Sequence, residues 1–490
     1  MKSPVNIWPG SPRWLVCLLL CVTLGGAQAA TMDANIPVLR TPAFQPITGL
    51  NKQESVHQLA AEDAVARGDY QRAEKQWSQL LSRLEKRLGA NAPATWSTRF
   101  NLAVLSHREN RYQEALKQYR ELVDQIEASG HFRHPAMAAP LFGMGSVLQA
   151  LNEHALAIDT MQRAIFITRT DKGLNSLEQT RYDNNLMQSM LAMGDVESAR
   201  ARQEVRLELV QRSLPEGPEL LAEMSEIAAW YRVMGDFRRE ANIQQRRLEV
   251  LESLYGKDHI ELVPAYHDLA QAYQRMLRED IDQLRDSMRL RSNTSFSAVR
   301  TRQYEQRLST GFDDDFEKRD LINTERQAVI ALRSALRLQE EGQVSPEAKA
   351  KTLVLLGDHH LALGKTRTAR RYYNDAWELL DEHEAREAQQ QFFAQPVPVF
   401  EKTLPSTLRD DLGPALLAKG QITLSLEVSP SGKAREVEVT EIEPSEIAKF
   451  ERRLLRYARQ TVFRPRWSDD GAIETPDHQY TYRFLSQRGS

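Results

Sequence analysis

Along most of the chain, apolar residues recur three and four positions apart, the spacing that gives a helix one apolar face. Short breaks interrupt this pattern at a nearly fixed interval. Gly68-Asp69-Tyr70 is followed by Ala73. The break returns as Asn110-Arg111-Tyr112 with Ala115, Asn152-Glu153-His154 with Ala157, Gly194-Asp195-Val196 with Ala199, and Gly235-Asp236-Phe237 with Ala241. The steps are 42, 42, 42 and 41 residues. A period of this size marks a repeat architecture, each unit being one small supersecondary motif.

The flanks predict a helix–turn–helix unit. Leu102-Ala103 precedes Ala115, and Met144-Gly145 precedes Ala157 at the same distance. Trp77, Tyr119 and Met161 each fall four residues after their alanine, on the same helical face. Small residues at Ala61, Ala103, Gly145, Ala73, Ala115 and Ala157 let two helices cross closely. Gly68, Gly194 and Gly235 suit the left-handed position after a helix. Leu88-Gly89-Ala90-Asn91 and the stretch 254–259 join successive units.

These residues resemble the tetratricopeptide (TPR) repeat. The period exceeds that family's usual ~34 residues and looks like its longer-helix variety. The repeats are expected over residues 51–278, with a sixth first helix at 269–273. Residues 279–344 break the period and read as an irregular charged helical region around a loop at Ser292-Asn293-Thr294-Ser295. A further repeat follows at 345–385, where Leu353, Leu356-Gly357, Gly364, Ala369, Tyr373 and Ala376 fit the shorter pattern.

Units that cannot bury their apolar faces alone stack into a superhelix with a concave groove. The resemblance implies that the first helix of each unit lines this groove and that peptides or protein surfaces bind there. It places Phe100 and Val104, Phe142 and Ser146, Asn184 and Gln188, and His267 and Gln271 toward the groove. Arg108, Arg181, Arg232 and Arg275 fall on nearby faces. The alternatives are core positions for Phe100 and Phe142 and solvated faces for the arginines.

Composition shifts after residue 385. Residues 386–405 read as a linker punctuated by Pro396-Val397-Pro398-Val399. Residues 421–428 then alternate apolar and polar, as a half-buried strand does. Ser429-Pro430-Ser431-Gly432-Lys433 is turn chemistry, and Val437 and Val439 continue the alternation. A helix is expected over 446–462, carrying Ile447, Phe450, Leu454, Ala458 and Val462. Phe463-Arg464-Pro465-Arg466 stops it, with the two arginines expected to brace its end. A last strand follows at 480–484.

Gly420, Gly432, the Phe463-to-Arg466 motif, Gly471 and the alternating Tyr480, Tyr482 and Phe484 stand in the order of a TonB C-terminal domain. Residues 406–486 resemble that family, so the whole chain is expected to be mainly α, a TPR-type solenoid followed by a small α+β domain. The resemblance implies strand addition, in which an extended partner segment pairs with an exposed edge. The edge residues are Gln479, Tyr480, Thr481, Tyr482, Arg483 and Phe484, and the implied partners are segments of outer-membrane transporters.

The N-terminus has the layout of a secretory signal over residues 1–29. Lys2 and Arg13 precede an apolar stretch at 14–24, and Ala27-Gln28-Ala29 supplies the small-residue cleavage site. Cleavage would leave a periplasmic protein that starts with an extended segment, residues 30–50. The alternative is an uncleaved inner-membrane anchor facing the periplasm. Cys17 and Cys21 lie inside the apolar stretch, so a cleaved chain has no disulfide, thiolate metal site or cysteine nucleophile.

Charge and motif searches narrow the function. Lys+Arg at 64 against Asp+Glu at 67 leaves no basic footprint for nucleic acid. Gly364-Lys365-Thr366 ends like a phosphate loop, but His359 stands where the first glycine belongs. His131-Phe132-Arg133-His134 and His359-His360 lack a third ligand. No nucleophile or nucleotide motif stands out. The expectation is a non-enzymatic envelope adaptor with peptide or protein partners, and with no cofactor, metal or small-molecule substrate. The alternative is a membrane-anchored, TonB-related energy transducer. An enzyme site within 279–344 is a third reading, with no residue to nominate.

Overall fold

The computed structural model describes residues 40–129, 132–293, 315–342, 344–400 and 420–483. The signal segment, His131, Thr294-Ser295 and Phe484 lie outside the described residues.

Five helix pairs follow the sequence period: α1 (Lys52–Ala66) with α2 (Tyr70–Leu88), α3 (Pro93–Arg108) with α4 (Tyr112–Ala128), α5 (Ala138–Ala150) with α6 (His154–Lys172), α7 (Asp183–Ala192) with α8 (Val196–Ser213), and α9 (Pro218–Val233) with α10 (Phe237–Tyr255). At each turn a backbone N–H reaches back five residues. Asp69 bonds the Ala64 carbonyl at 2.8 Å, Arg111 bonds Ser106 at 2.9 Å, and Asp195 bonds Met190 at 2.9 Å. This closure needs a left-handed residue just before the donor. Gly68 (φ 74°), Asn110 (φ 58°), Asn152 (φ 62°), Gly194 (φ 81°) and Gly235 (φ 72°) supply it. The recurring Gly or Asn of the sequence is therefore a backbone requirement. Asp69, Asp195 and Asp236 then cap the second helices through their side chains.

The small residues do what their size allows. Ala73, Ala115, Ala157 and Ala199 are fully buried between helices. Gly143 admits the Tyr119 ring so closely that an added Cβ would lie 2.4 Å from it. Trp77, Tyr119 and Met161 fill the core as their common face predicts.

The region expected to be irregular is a sixth helix pair. α11 (Val263–Asn293) and α12 (Asp315–Glu341) are longer than the others and pack against each other. Leu262, Ala265 and Leu269 on one side and Ala331, Leu332, Ala335 and Leu338 on the other form its buried base. The period breaks because these helices run to 31 and 27 residues. α13 (Pro346–Ala362) and α14 (Thr366–Glu382) make the seventh pair, with the same backbone closure from Lys365 to His360 at 2.8 Å. No helix among the described residues is long and apolar enough to cross a membrane.

Of the stretch expected as a linker, residues 386–400 are instead built into the molecule, and 401–405 lie outside the described residues. Within it, α15 (Arg386–Phe393) is followed by β1 (Val397–Phe400), and Phe393 and Val399 are buried. β1 pairs antiparallel with β4 (Val462–Arg464). This pairing explains why the helix expected over 446–462 is shorter. A 3-10 turn at Ser445–Phe450 leads into α16 (Glu451–Ala458), and Val462 already belongs to β4.

β2 (Gln421–Val428), β3 (Ala434–Glu443) and β7 (Thr475–Arg483) form an antiparallel sheet in the order β3-β2-β7. Ile422, Leu424, Leu426 and Val428 alternate onto its inner face, against Ile447, Leu454, Ala458, Phe463, Tyr480 and Tyr482. A small hairpin, β5 (Arg466–Ser468) with β6 (Gly471–Ile473), lies between α16 and β7 in sequence.

This hairpin carries Trp467 into the core of the seventh unit. Its ring lies 5.4 Å from Tyr373 and 6.1 Å from Phe393. Arg464 was expected at the helix end, but it is buried against α13, its Nη1 3.7 Å from Asp358 Oδ2. The Tyr373 hydroxyl donates to Asp358 Oδ1 at 2.8 Å. Burial pushes the Asp358 carboxyl up, with Arg464 and Tyr373 opposing that shift. Arg466 is half-buried.

Candidate functional site

Residues 40–50 carry no helix or strand and cross the solenoid from its fifth unit back to its first. Two buried asparagines hold their backbone. Asn101 on α3 accepts the Gln45 N–H at 2.7 Å and donates to the Gln45 carbonyl at 2.9 Å. Asn185 on α7 treats Arg40 the same way, at 2.9 and 3.1 Å. A carboxamide presents one acceptor and one donor side by side, matching the two polar groups of a single residue. Such a grip reads backbone and leaves the side chain free.

Side chains are read separately. The Arg40 guanidinium donates to both Glu226 oxygens, at 3.1 and 2.9 Å. Glu226, on α9, is held in turn by Arg206, which is wholly buried and donates to Glu226 at 2.8 Å, Glu223 at 2.6 Å and Asn184 at 2.6 Å. Burial opposes the charge on Arg206, but Glu223 and Glu226 outweigh it and raise its pKa. Burial also opposes the charge on Glu226, yet Arg206 and Arg40 hold its carboxyl below the ordinary value.

Phe44 sits 5.0 Å from Trp77, with the Arg108 guanidinium 4.4 Å over its ring. Pro42 and Ile47 are buried. The Gly49 carbonyl accepts from Arg87 at 2.9 Å, and Arg87 also pairs with the buried Glu54 at 2.6 Å.

Of the positions expected in the groove, Arg108 meets the segment. Phe100, Val104 and Phe142 are core instead, the phenylalanine rings lying 5.9 Å from Tyr119 and 5.2 Å from Tyr182. Ser146 is buried, with Oγ 3.3 Å from Asn185 Nδ2. Asn184 is buried in the Arg206 network. His267 is buried with Nε2 2.8 Å from Thr352 Oγ1, and burial lowers its pKa to about 4. Gln188 and Gln271 are half-buried and Arg181 is exposed. Arg232 and Arg275 are committed elsewhere, both pairing with the buried Glu240, at 2.7 and 2.6 Å.

The segment thus lies on the expected helices α3 and α7, but one residue round from the expected positions. Asn101 and Asn185 directly follow Phe100 and Asn184, and one residue turns a helix by about 100°. A signal was present, since the two asparagines stand 84 residues apart, twice the repeat.

β7 lies at the outer end of its sheet, paired through Thr481 to Thr423 and Tyr482 to Ile422 of β2. Tyr480 and Tyr482 are buried in the core, while Gln479 and Arg483 are exposed and Thr481 is half-buried. His359 and His360 are buried in α13, and His134 caps a short 3-10 turn. Among the described residues, no group of three or more His, Cys, Asp or Glu is placed to hold a metal.

Residues 59–131 match the family model described as Tetratricopeptide repeat. Several solved structures are also similar. A structure of nearly identical TPR-like repeats from Podosopora anserina shares 18% identity over 41% of this chain and 96% of its own, with a TM-score of 0.36. A tetratricopeptide repeat protein from Parabacteroides merdae shares 14% identity over 70% of this chain and 99% of its own, with a TM-score of 0.31. The apo form of the quorum sensor NprR from B. thuringiensis shares 14% identity over 68% of this chain and 89% of its own, with a TM-score of 0.30. The tetratricopeptide match lies within a mainly helical, TPR-like solenoid that has a small strand-containing C-terminal region.

Proposed function

We propose that this protein is a non-enzymatic interaction scaffold of the Gram-negative periplasm that holds an extended peptide segment across the first helices of its N-terminal units. One observation carries the reading: Asn101 and Asn185 each bind both backbone groups of one residue in a segment crossing the solenoid. The same grip is available to any extended chain, because it uses no side chain of the occupant. The periplasmic location rests on the signal layout of residues 1–29.

The C-terminal region is proposed as a second docking surface, TonB-like in its element order. Its outer strand β7 presents Gln479, Thr481 and Arg483 away from the core, and strand addition there would suit extended segments of outer-membrane transporters. The alternative, an anchored energy transducer, is favoured by the uncharged run from Trp14 to Met32. The mass of the N-terminal peptide of the protein purified from cells separates the two, since a scaffold starts at Ala30.

Photo-crosslinkers placed at Arg108 and at Thr481 in cells, with mass-spectrometric identification, test the two surfaces. Capture of periplasmic proteins or peptides from Arg108 supports the scaffold. Capture from neither position removes both surfaces from consideration.

A further inference from the structure

In an empty groove both asparagines would lose their backbone partners, which water or another extended backbone can replace. Glu226 is held in place by Arg206 from behind, independently of Arg40. On the groove side the Arg40–Glu226 pair is partly exposed, at 34% and 42% of the two side chains. The receiving site thus belongs to the solenoid, and the segment contributes only the part that enters it.

We propose that residues 40–50 are a built-in ligand that gates the groove, and that the partner displacing them has the same chemistry. That partner is an extended peptide with a basic side chain for Glu226 and, four residues later, an aromatic ring for the slot between Trp77 and Arg108. This deepens the scaffold reading and rests on it. Leu50 and Asn51 join the segment directly to α1, so it competes as a tethered ligand. Short tethers give effective concentrations on the order of millimolar. An incoming peptide binds only the fraction of molecules whose groove is vacated, and its apparent affinity falls by that fraction.

Fluorescence anisotropy with a labelled peptide of residues 38–50 tests this on the full chain. The expected result is weak binding to the unaltered protein and binding at least about tenfold tighter to the Arg40→Ala/Phe44→Ala double variant, whose own segment grips poorly. Arg40→Ala alone gives a smaller gain in the same direction and serves if the double variant folds badly. A labelled peptide with glutamate in place of its arginine should lose that tight binding. Equal affinity for unaltered and variant chains overturns the gate and leaves the groove a peptide site. Tight binding of the glutamate peptide overturns the assigned chemistry. Absence of binding to every chain overturns both the built-in ligand and the groove itself.

Discussion

The solenoid receives another stretch of its own chain at two places, and it receives them with different materials. At the N-terminal units, residues 40–50 are held by amides, an ion pair and one ring that meets Trp77 and Arg108. At the seventh unit, the C-terminal region is held by Trp467, Phe393 and Val399 inside the apolar core, with Arg464 and Asp358 buried beside them. Polar contacts that water or another backbone can replace contribute about 1 kcal/mol each. Buried aromatic rings lose several times that on removal. The first contact is suited to exchange and the second to permanence.

The sharpest way to break this contrast is Trp467→Ala. It should cost about 3–5 kcal/mol and uncouple the C-terminal region, seen as a separate early transition in denaturant unfolding followed by circular dichroism. A single transition shifted by less than about 1 kcal/mol would put the junction in the same exchangeable class as the groove.

Acid should divide the two regions next. Burial lowers His267 and His359 to about 4 from the ordinary 6.5, and it lowers His360 and His478 as well; all four belong to the C-terminal half. The N-terminal units contribute His107, at about 4. Below pH 6.5 the unfolded chain takes protons that these folded sites refuse, so stability falls as pH drops toward 4. The slope approaches roughly 1 kcal/mol per histidine per pH unit. Asp183 and Asp358, whose buried carboxyls are shifted up, work in the opposite direction, one in each region. Proteolysis at pH 5 should therefore open the C-terminal half first, and earlier opening of the N-terminal units would contradict this.

Smaller effects sharpen the groove side. Asn101→Ala with Asn185→Ala should raise hydrogen exchange at residues 40–50 roughly tenfold. Exchange in α9 and α10 should change little. Arg40→Ala should move global stability by no more than about 1 kcal/mol, and by less in high salt.

The turns and the alanines were legible in the sequence because one backbone geometry and one close crossing fix residue type at each repeat. The sixth unit is not, because helices of 31 and 27 residues exceed the interval that the shorter pairs set. Asn101 and Asn185 are not, because the repeat resemblance turns their neighbours Phe100 and Asn184 toward the groove, about 100° away on each helix. Their role appears only when residues 40–50 lie across them. The three long strands of the C-terminal region are readable from alternation, whereas the burial of Arg464 against α13 is not. Nothing local announces that a short strand will carry an arginine into the neighbouring core.

The asparagine pair also acts as a ruler. Five residue steps separate Arg40 from Gln45, a length of at most about 18 Å when fully extended. Both clamps and the Phe44 slot must be met by the same short run. One residue more or fewer puts the ring and the cation out of step with their sites, so a partner is sorted by the interval between its side chains as much as by their kind.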